Sequence, residues 1–396
     1  MSKLFFKATV EQANERLNDF ISHKLKNYDE KRNYDKGHNS PFEYVSGLSP
    51  YISHGVLKED EVLKKINESK IHSEKFINEI FWRVYWKGWL ENYSIIWKKY
   101  KEKVSNYKFT SSFLKDNYYL AINGKTSIEP FNTWIKQLKT YGYLHNHSRM
   151  WFASIWIHYL NLPWYLGADF FLKNLIDGDA ASNTLSWRWV AGLQTIGKKY
   201  IATEYNINKF TFNSFPNLNL PKPIINEITA EQRIINDLKF SNKFSNKKDS
   251  VLCILENDLN INFVLENHKL FKEIILVNFS KSIKYSQLVH KFRRQLSSDF
   301  FKILKGKNIN VSKISLPEDT NKLNVTLEEN NVKKLCTNYI CLSYEKEIFQ
   351  DCLKELNVKH DNILSSFYVD SWNYSKKGYF KLKKNISYLM KQHISP

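Results

Sequence analysis

Asn146, Arg149 and Met150 stand at i, i+3 and i+4 within Tyr143-Leu-His-Asn-His-Ser-Arg-Met150, so a helix there carries all three on one face. An arginine offers a planar fork suited to a carboxylate or a pyrophosphate. A little further on, Ile176-Asp-Gly-Asp-Ala-Ala-Ser-Asn183 sets Asp177 and Asp179 beside a flexible residue and next to apolar Leu175. Carboxylates so close to a hydrophobic run need partners if they are buried. Arg149 is one candidate; a ligand's ribose hydroxyls or ring N–H groups are others. Asn183, Trp187 and Trp189 follow at once. Amide, guanidinium, carboxylate and indole groups compressed in this way can hold a large, flat, charged cofactor and pass electrons to it. Taken singly, the pieces have plainer explanations: a surface arginine with a core methionine, and a solvated Asp-Gly-Asp turn.

A second group lies upstream. In Asn78-Glu-Ile-Phe-Trp-Arg83, the side chains of Glu79, Trp82, Arg83 and Trp86 fall at offsets 0, 3, 4 and 7 and share a helical face. An indole beside an edge-reading polar group is the mix that holds a flipped base. An amphipathic helix with a Glu79–Arg83 salt bridge has the same spacing. Ser46-Gly-Leu-Ser-Pro-Tyr51 supplies two hydroxyls, Ser46 and Ser49, at a helix start where backbone N–H groups suit a pyrophosphate; a plain helix-opening turn reads the same way.

The elements that must position these groups are helical. Ser73 is placed to cap a helix reaching about Tyr93, with Phe76, Ile80, Val84 and Trp86 at helical spacing. Residues 134–138, 144–160 and 168–175 read as further helices, with Pro163 ending one or starting the next. Residues 211–250 read as a connector broken by Pro216, Pro221 and Pro223, with one short helix at 230–238. From 251 onward, short apolar runs at 251–255, 273–279, 311–316, 339–344 and 364–369 alternate with amphipathic stretches at 286–305 and 345–356. That alternation predicts a parallel sheet flanked by helices. The expected fold is therefore multidomain: a helical domain at 1–210, a linker at 211–250, and an α/β, Rossmann-like domain at 251–396. No Gly-rich phosphate loop marks the second domain.

The chain of 396 residues is 42% hydrophobic and 15% aromatic, which makes it globular. Its net charge of +19 favours polyanions, nucleic acid ahead of an acidic membrane, although a Lys- and Asn-rich composition also contributes. No secretory signal and no membrane-length apolar run is present, so a cytoplasmic protein is expected. Cys253, Cys336, Cys341 and Cys352 lack paired spacing and read as buried free thiols; no metal site is expected.

Roughly residues 28–210 resemble the photolyase/cryptochrome family, on the motifs at 143–150, 177–183, 78–83 and 46–51. The resemblance implies a helical domain that binds FAD in a bent form, in contact with Tyr28, Ser46, Leu48, Ser49, Phe76, Glu79, Arg83, Asn146, Arg149, Asp177, Asp179 and Asn183. It implies an Arg149–Asp177 pair beside the flavin ring, with Asn183 facing it. Glu79, Trp82, Asn146, Met150 and Trp189 are then the residues around the substrate. Asn146 and Met150 match the members that act on cyclobutane pyrimidine dimers. Trp187 and Trp164 match two members of the family's electron-transfer chain, whose third position holds no Trp; Tyr107, Tyr118 and Tyr119 lie nearby. His147, Lys198 and Lys199 are the expected DNA contacts. Val45 departs from the family's usual Thr, His147 replaces a common Arg, and Ala202 falls near another Arg position. An α/β antenna domain usually precedes the family's flavin domain. Here the α/β stretch follows, as a relocated antenna-type domain or an unrelated module. A second chromophore is left open.

Two readings follow. One is a monomeric, light-driven lyase repairing cyclobutane dimers in UV-damaged DNA with reduced FAD, supported by Glu79, Trp82 and Met150. The other is a cryptochrome-like FAD photoreceptor without repair activity, supported by His147 and Ala202. A DNA-binding protein with an empty flavin fold is a third.

Overall fold

Ser73 opens the helix around which the first half is built. Its Oγ accepts from the Phe76 N–H at 3.3 Å, satisfying a donor that the helix cannot. The computed structural model describes residues 5–395 apart from 38, 245–248, 280–282, 330 and 357. The helix Glu74–Asn92 runs through the helical part, packed by the helices Glu59–Ser69 and Ala180–Val190. The helices Glu129–Tyr141, Asn146–His158 and Trp164–Asn174 complete the shell. The last begins four residues before the expected 168 because Pro163, with no N–H to satisfy, serves as its N-cap. Gly167 in this helix is required by close approach: a Cβ there would lie 2.3 Å from the Trp187 ring. The glycine lets the indole of the next helix seat against this one.

The connector carries no helix at 230–238. Its backbone is held by its neighbours instead: the Asn236 N–H donates to the Asn92 carbonyl at 2.8 Å, and the Ile224 N–H to the His158 carbonyl at 2.6 Å. Glu231 is drawn onto Arg188, which is fully buried, and onto Lys103. These anchors fix the segment as an irregular strap, overriding a weak local helical preference.

The second half forms a five-stranded parallel sheet in the order β3-β2-β1-β4-β5, with β1 at Ser250–Leu255, β2 at Ile274–Asn278, β3 at Val311–Ser315, β4 at Lys334–Asn338 and β5 at Lys359–Ile363. The first three strands and the helices Gln287–Gly306 and Tyr344–Glu355 fall where the alternation placed them. The last two strands do not. The apolar run 339–344 follows β4 and is apolar because it packs against the helical part, with Tyr344 meeting the Trp97 ring at 5.2 Å; the Tyr339 hydroxyl and the Leu342 N–H also donate to Glu91. β5, Lys-His-Asp-Asn-Ile, is polar as an edge strand must be. The run 364–369 enters the helix Ser366–Asn373 instead.

One sheet face shares a continuous hydrophobic core with the N-terminal helices; the other closes a smaller core with Leu323, Leu327 and Phe349. Trp372 bolts the two halves together. It is buried, its indole N–H donates to the Val84 carbonyl at 3.1 Å, and its ring covers Gly88 so closely that a Cβ there would sit 2.4 Å away. Gly88→Val should therefore lower stability by about 1–3 kcal/mol through overpacking, measurable as a fall in the thermal midpoint. A neutral effect would show that this contact is not tight.

Candidate functional site

A cavity of about 600 Å³ opens among the helices, within the range of small-molecule sites. Ile52, Phe76, Ile80, Phe171 and Leu175 form much of its apolar wall. Every residue assigned to the cofactor from sequence lines it: Tyr28, Ser46, Leu48, Ser49, Phe76, Glu79, Arg83, Asn146, Arg149, Asp177, Asp179 and Asn183. So do Trp82, Met150, Trp187 and Trp189. Groups from five separate stretches of chain meet around one space.

The charged centre is the pair Arg149–Asp177. The guanidinium Nη2 lies 2.8 Å from Asp177 Oδ2, and Nε donates to the Leu144 carbonyl at 2.8 Å. Ser49 donates its hydroxyl to the same carboxylate, so it does not stand free as a phosphate donor. Ser53 donates to the Asp177 carbonyl at 2.9 Å and accepts from Arg83 at 2.9 Å. Asp179 caps the helix Ala180–Val190 through the Ser182 N–H at 2.6 Å, which fixes one carboxylate oxygen. Asn183 donates to the Ala168 carbonyl at 2.8 Å, which orients its amide on the cavity wall.

Glu79 and Arg83 are not a salt bridge. Glu79 accepts from Tyr28 and from Arg32, one on each oxygen. Its recess in the cavity pushes its pKa up, against the opposing pull of Arg32. Arg83 turns the other way, to Ser53 and, at 3.7 Å, to Glu59. Glu59 is fully buried and also takes Lys87 at 2.7 Å and the Tyr368 hydroxyl at 2.6 Å. Burial pushes its carboxyl up, but Lys87 and Arg83 outweigh this and hold it at about 2. A depressed acid stabilises the fold above its unfolded pKa, and that contribution is lost as pH falls through the folded value. Glu59 should thus contribute up to about 3 kcal/mol above pH 5, lost progressively toward pH 2. Thermal melts of wild type and Glu59→Gln across that window test this: equal acid dependence would refute it.

Four buried polar atoms on the cavity lining have no hydrogen-bond partner: Asp177 Oδ1, Arg83 Nε, Arg32 Nε and Ser182 Oγ. Each such atom costs roughly 1–3 kcal/mol unless something satisfies it. The donor and acceptor set, with its apolar walls, fits a ligand combining a flat ring bearing N–H and C=O groups, a hydroxylated chain and a phosphate. That is the chemistry of FAD.

Four expected residues lie off the cavity. Trp164 is buried, stacked near Tyr100 at 6.0 Å with Arg188 over its ring at 5.6 Å. The ring contacts leading outward from Trp187 go to Trp156 (6.1 Å), then Tyr118 (5.8 Å) and Tyr119 (5.7 Å), which is 48% exposed. Trp156, which is not among the residues expected from sequence, is the indole in ring contact with Trp187. His147 is not at the surface: it is buried, stacks on Trp151 at 4.2 Å and contacts the Asn33 carbonyl at 3.0 Å through Nδ1. Burial pulls its pKa to about 4, so the ring is neutral near pH 7. Lys198 is exposed and Lys199 partly so. Arg32 was also missed, although its place four residues after Tyr28 was a usable signal.

Residues 76–246 match a family model described as the FAD binding domain of DNA photolyase. The deoxyribodipyrimidine photo-lyase of Buchnera aphidicola subsp. Acyrthosiphon pisum is 27% identical over 216 residues, 50% of this chain and 42% of that protein. A cryptochrome DASH of Vibrio parahaemolyticus is 29% identical over 178 residues, 45% and 39%. The chain spans about half the length, or less, of the curated relatives it matches. Among solved structures, a bacterial class III photolyase from Agrobacterium tumefaciens is 25% identical with a TM-score of 0.42, covering 52% of this chain and 43% of that one.

Proposed function

Residues 76–246 belong to the photolyase/cryptochrome family as its FAD-binding domain, and from that premise we propose that the protein repairs cyclobutane pyrimidine dimers in DNA by FAD-dependent, light-driven electron transfer. The observation that carries this is the joining of two residue sets on one cavity: Arg149, Asp177, Asp179 and Asn183 for the cofactor, and Glu79, Trp82, Asn146, Met150 and Trp189 for the lesion. The chemistry FAD supplies when bound is a light-driven electron, lent to the cyclobutane ring and returned once that ring opens.

The chain's own residues bind, orient and exclude water. Arg149 and Asp177 clamp the flat ring, and Ser46 with the turn to Leu48 meets the phosphates. Trp82 gives the flipped dinucleotide an indole to stack on. Glu79, poised between Tyr28 and Arg32, organises the hydrogen bonds at the edge of the pyrimidines. No side chain acts as a nucleophile. The net charge of +19 draws DNA to the protein.

One observation favours the second reading, a photoreceptor without repair. Both Glu79 oxygens already have partners. The deciding experiment illuminates FAD-loaded, reduced protein with oligo(dT) containing cyclobutane dimers. Recovery of the ultraviolet absorbance of intact thymines is the expected result. A flavin-loaded protein that restores none under blue light would end the repair reading and leave the photoreceptor; a protein that takes up no FAD would end both.

A further inference from the structure

The C-terminal segment presses against the lesion side of the cavity. Tyr379, in the helix Tyr379–Lys383, stacks face to face on Trp82, with ring centroids 3.6 Å apart and planes 11° apart. Its hydroxyl donates to the Asn78 carbonyl at 2.9 Å and is 3.1 Å from Asn78 Oδ1. Two more aromatics of the helix Glu74–Asn92 and its cap hold the preceding turn: the Tyr85 hydroxyl donates to the Lys377 carbonyl at 2.8 Å, and the Tyr93 hydroxyl to the Lys376 carbonyl at 2.6 Å. The backbone of this segment is therefore fastened to the helix that carries Glu79 and Trp82.

Its outer face is basic and aromatic. Residues 371–396 contain six lysines and no Asp or Glu. Lys376, Lys377, Lys381 and Lys384 are exposed, Phe380 is 76% exposed and Tyr388 is 54% exposed. Among the described residues, Lys383 is the one lysine of this group paired with an acid, Glu74, at 3.2 Å. Uncompensated lysines interleaved with exposed rings combine phosphate attraction with base stacking. A plain solvated face needs no exposed Phe between lysines.

We propose that this segment is a nucleic-acid contact surface, gripping the strand that flanks a nucleotide pair stacked on Trp82. The proposal rests on the DNA-repair reading above. Tyr379 acts as its hinge pin: it backs the indole from behind while Phe380 and the lysines face outward, one ring removed from the cavity. The lysines meet phosphates, and Phe380 takes the face of an unpaired base.

The test measures binding of FAD-loaded protein to dimer-containing oligo(dT) by fluorescence anisotropy across a salt series. Each phosphate contact contributes about 0.7–0.9 to the slope of log affinity on log salt. The variant Lys376→Gln/Lys377→Gln/Lys381→Gln/Lys384→Gln should lose about 2–4 from that slope, with an unchanged flavin spectrum and thermal midpoint. Phe380→Ala should weaken binding roughly 5- to 100-fold with little change in slope. If wild type binds the dimer DNA and both variants match it in affinity and slope, the surface is overturned while the repair reading stands. If wild type binds no DNA, both fall together. Loss of binding to vesicles of phosphatidylserine with DNA binding intact would assign the patch to membranes and overturn the proposal.

Discussion

Arg149→Leu should give a colourless protein of lowered stability. The Asp177 side chain is 2% exposed, and its Oδ2 meets the Arg149 guanidinium at 2.8 Å. Removing the cation leaves a buried carboxylate supported by little more than the Ser49 hydroxyl. Breaking one side of a buried ion pair costs about 3–5 kcal/mol, most of it the desolvation of the charge left behind. With the pair goes the proposed flavin clamp. The measurements are the thermal midpoint and the visible flavin absorbance after purification. The double variant Arg149→Leu/Asp177→Leu separates the two effects: it should recover much of the stability, because no lone charge remains, yet still fail to hold FAD. A yellow Arg149→Leu protein would refute the assigned clamp.

Glu79→Gln should slow repair by about 10²-fold, the loss typical when one preorganised polar group is removed from a developing charge. The flavin spectrum should persist, because Arg149, Asp177 and Asn183 are untouched. Gln keeps the shape: its oxygen can accept from Arg32 while its amide N–H donates to the Tyr28 hydroxyl, which accepts as well as donates, so the fold should hold. The quantity to read is the single-turnover rate under constant blue light, with the flavin reduced beforehand. An unchanged rate would remove Glu79 from the reaction. A Glu79→Gln protein that loses flavin would place the role of Glu79 in holding the cofactor rather than in reading the lesion.

The lining of the cavity was legible in the sequence because each of its pieces is local. Helical spacing alone puts Asn146, Arg149 and Met150 on one face, and Glu79, Trp82 and Trp86 on another. Asp177 and Asp179 beside an apolar run implied a demand for partners before any partner was visible. The same reasoning found strands where both faces are buried, as in β1 and β2, and failed at β4 and β5. An edge strand is polar, and the run 339–344 is apolar because Tyr339, Cys341, Leu342 and Tyr344 pack on the core shared with the helices, not for pairing in the sheet.

By itself, then, the order of residues determined which groups share a helix face, the alternation that builds the parallel sheet, and the excess positive charge. The tertiary structure decided the pairings: Glu79 with Arg32 and Tyr28, Arg83 with Ser53 and Glu59, Trp187 with Trp156, His147 in the interior, and Tyr379 on Trp82. The physical reason is range. Periodicity acts over a few residues and is written in the chain, whereas a buried charge or ring takes the partner that packing brings within a few ångströms, however distant in sequence.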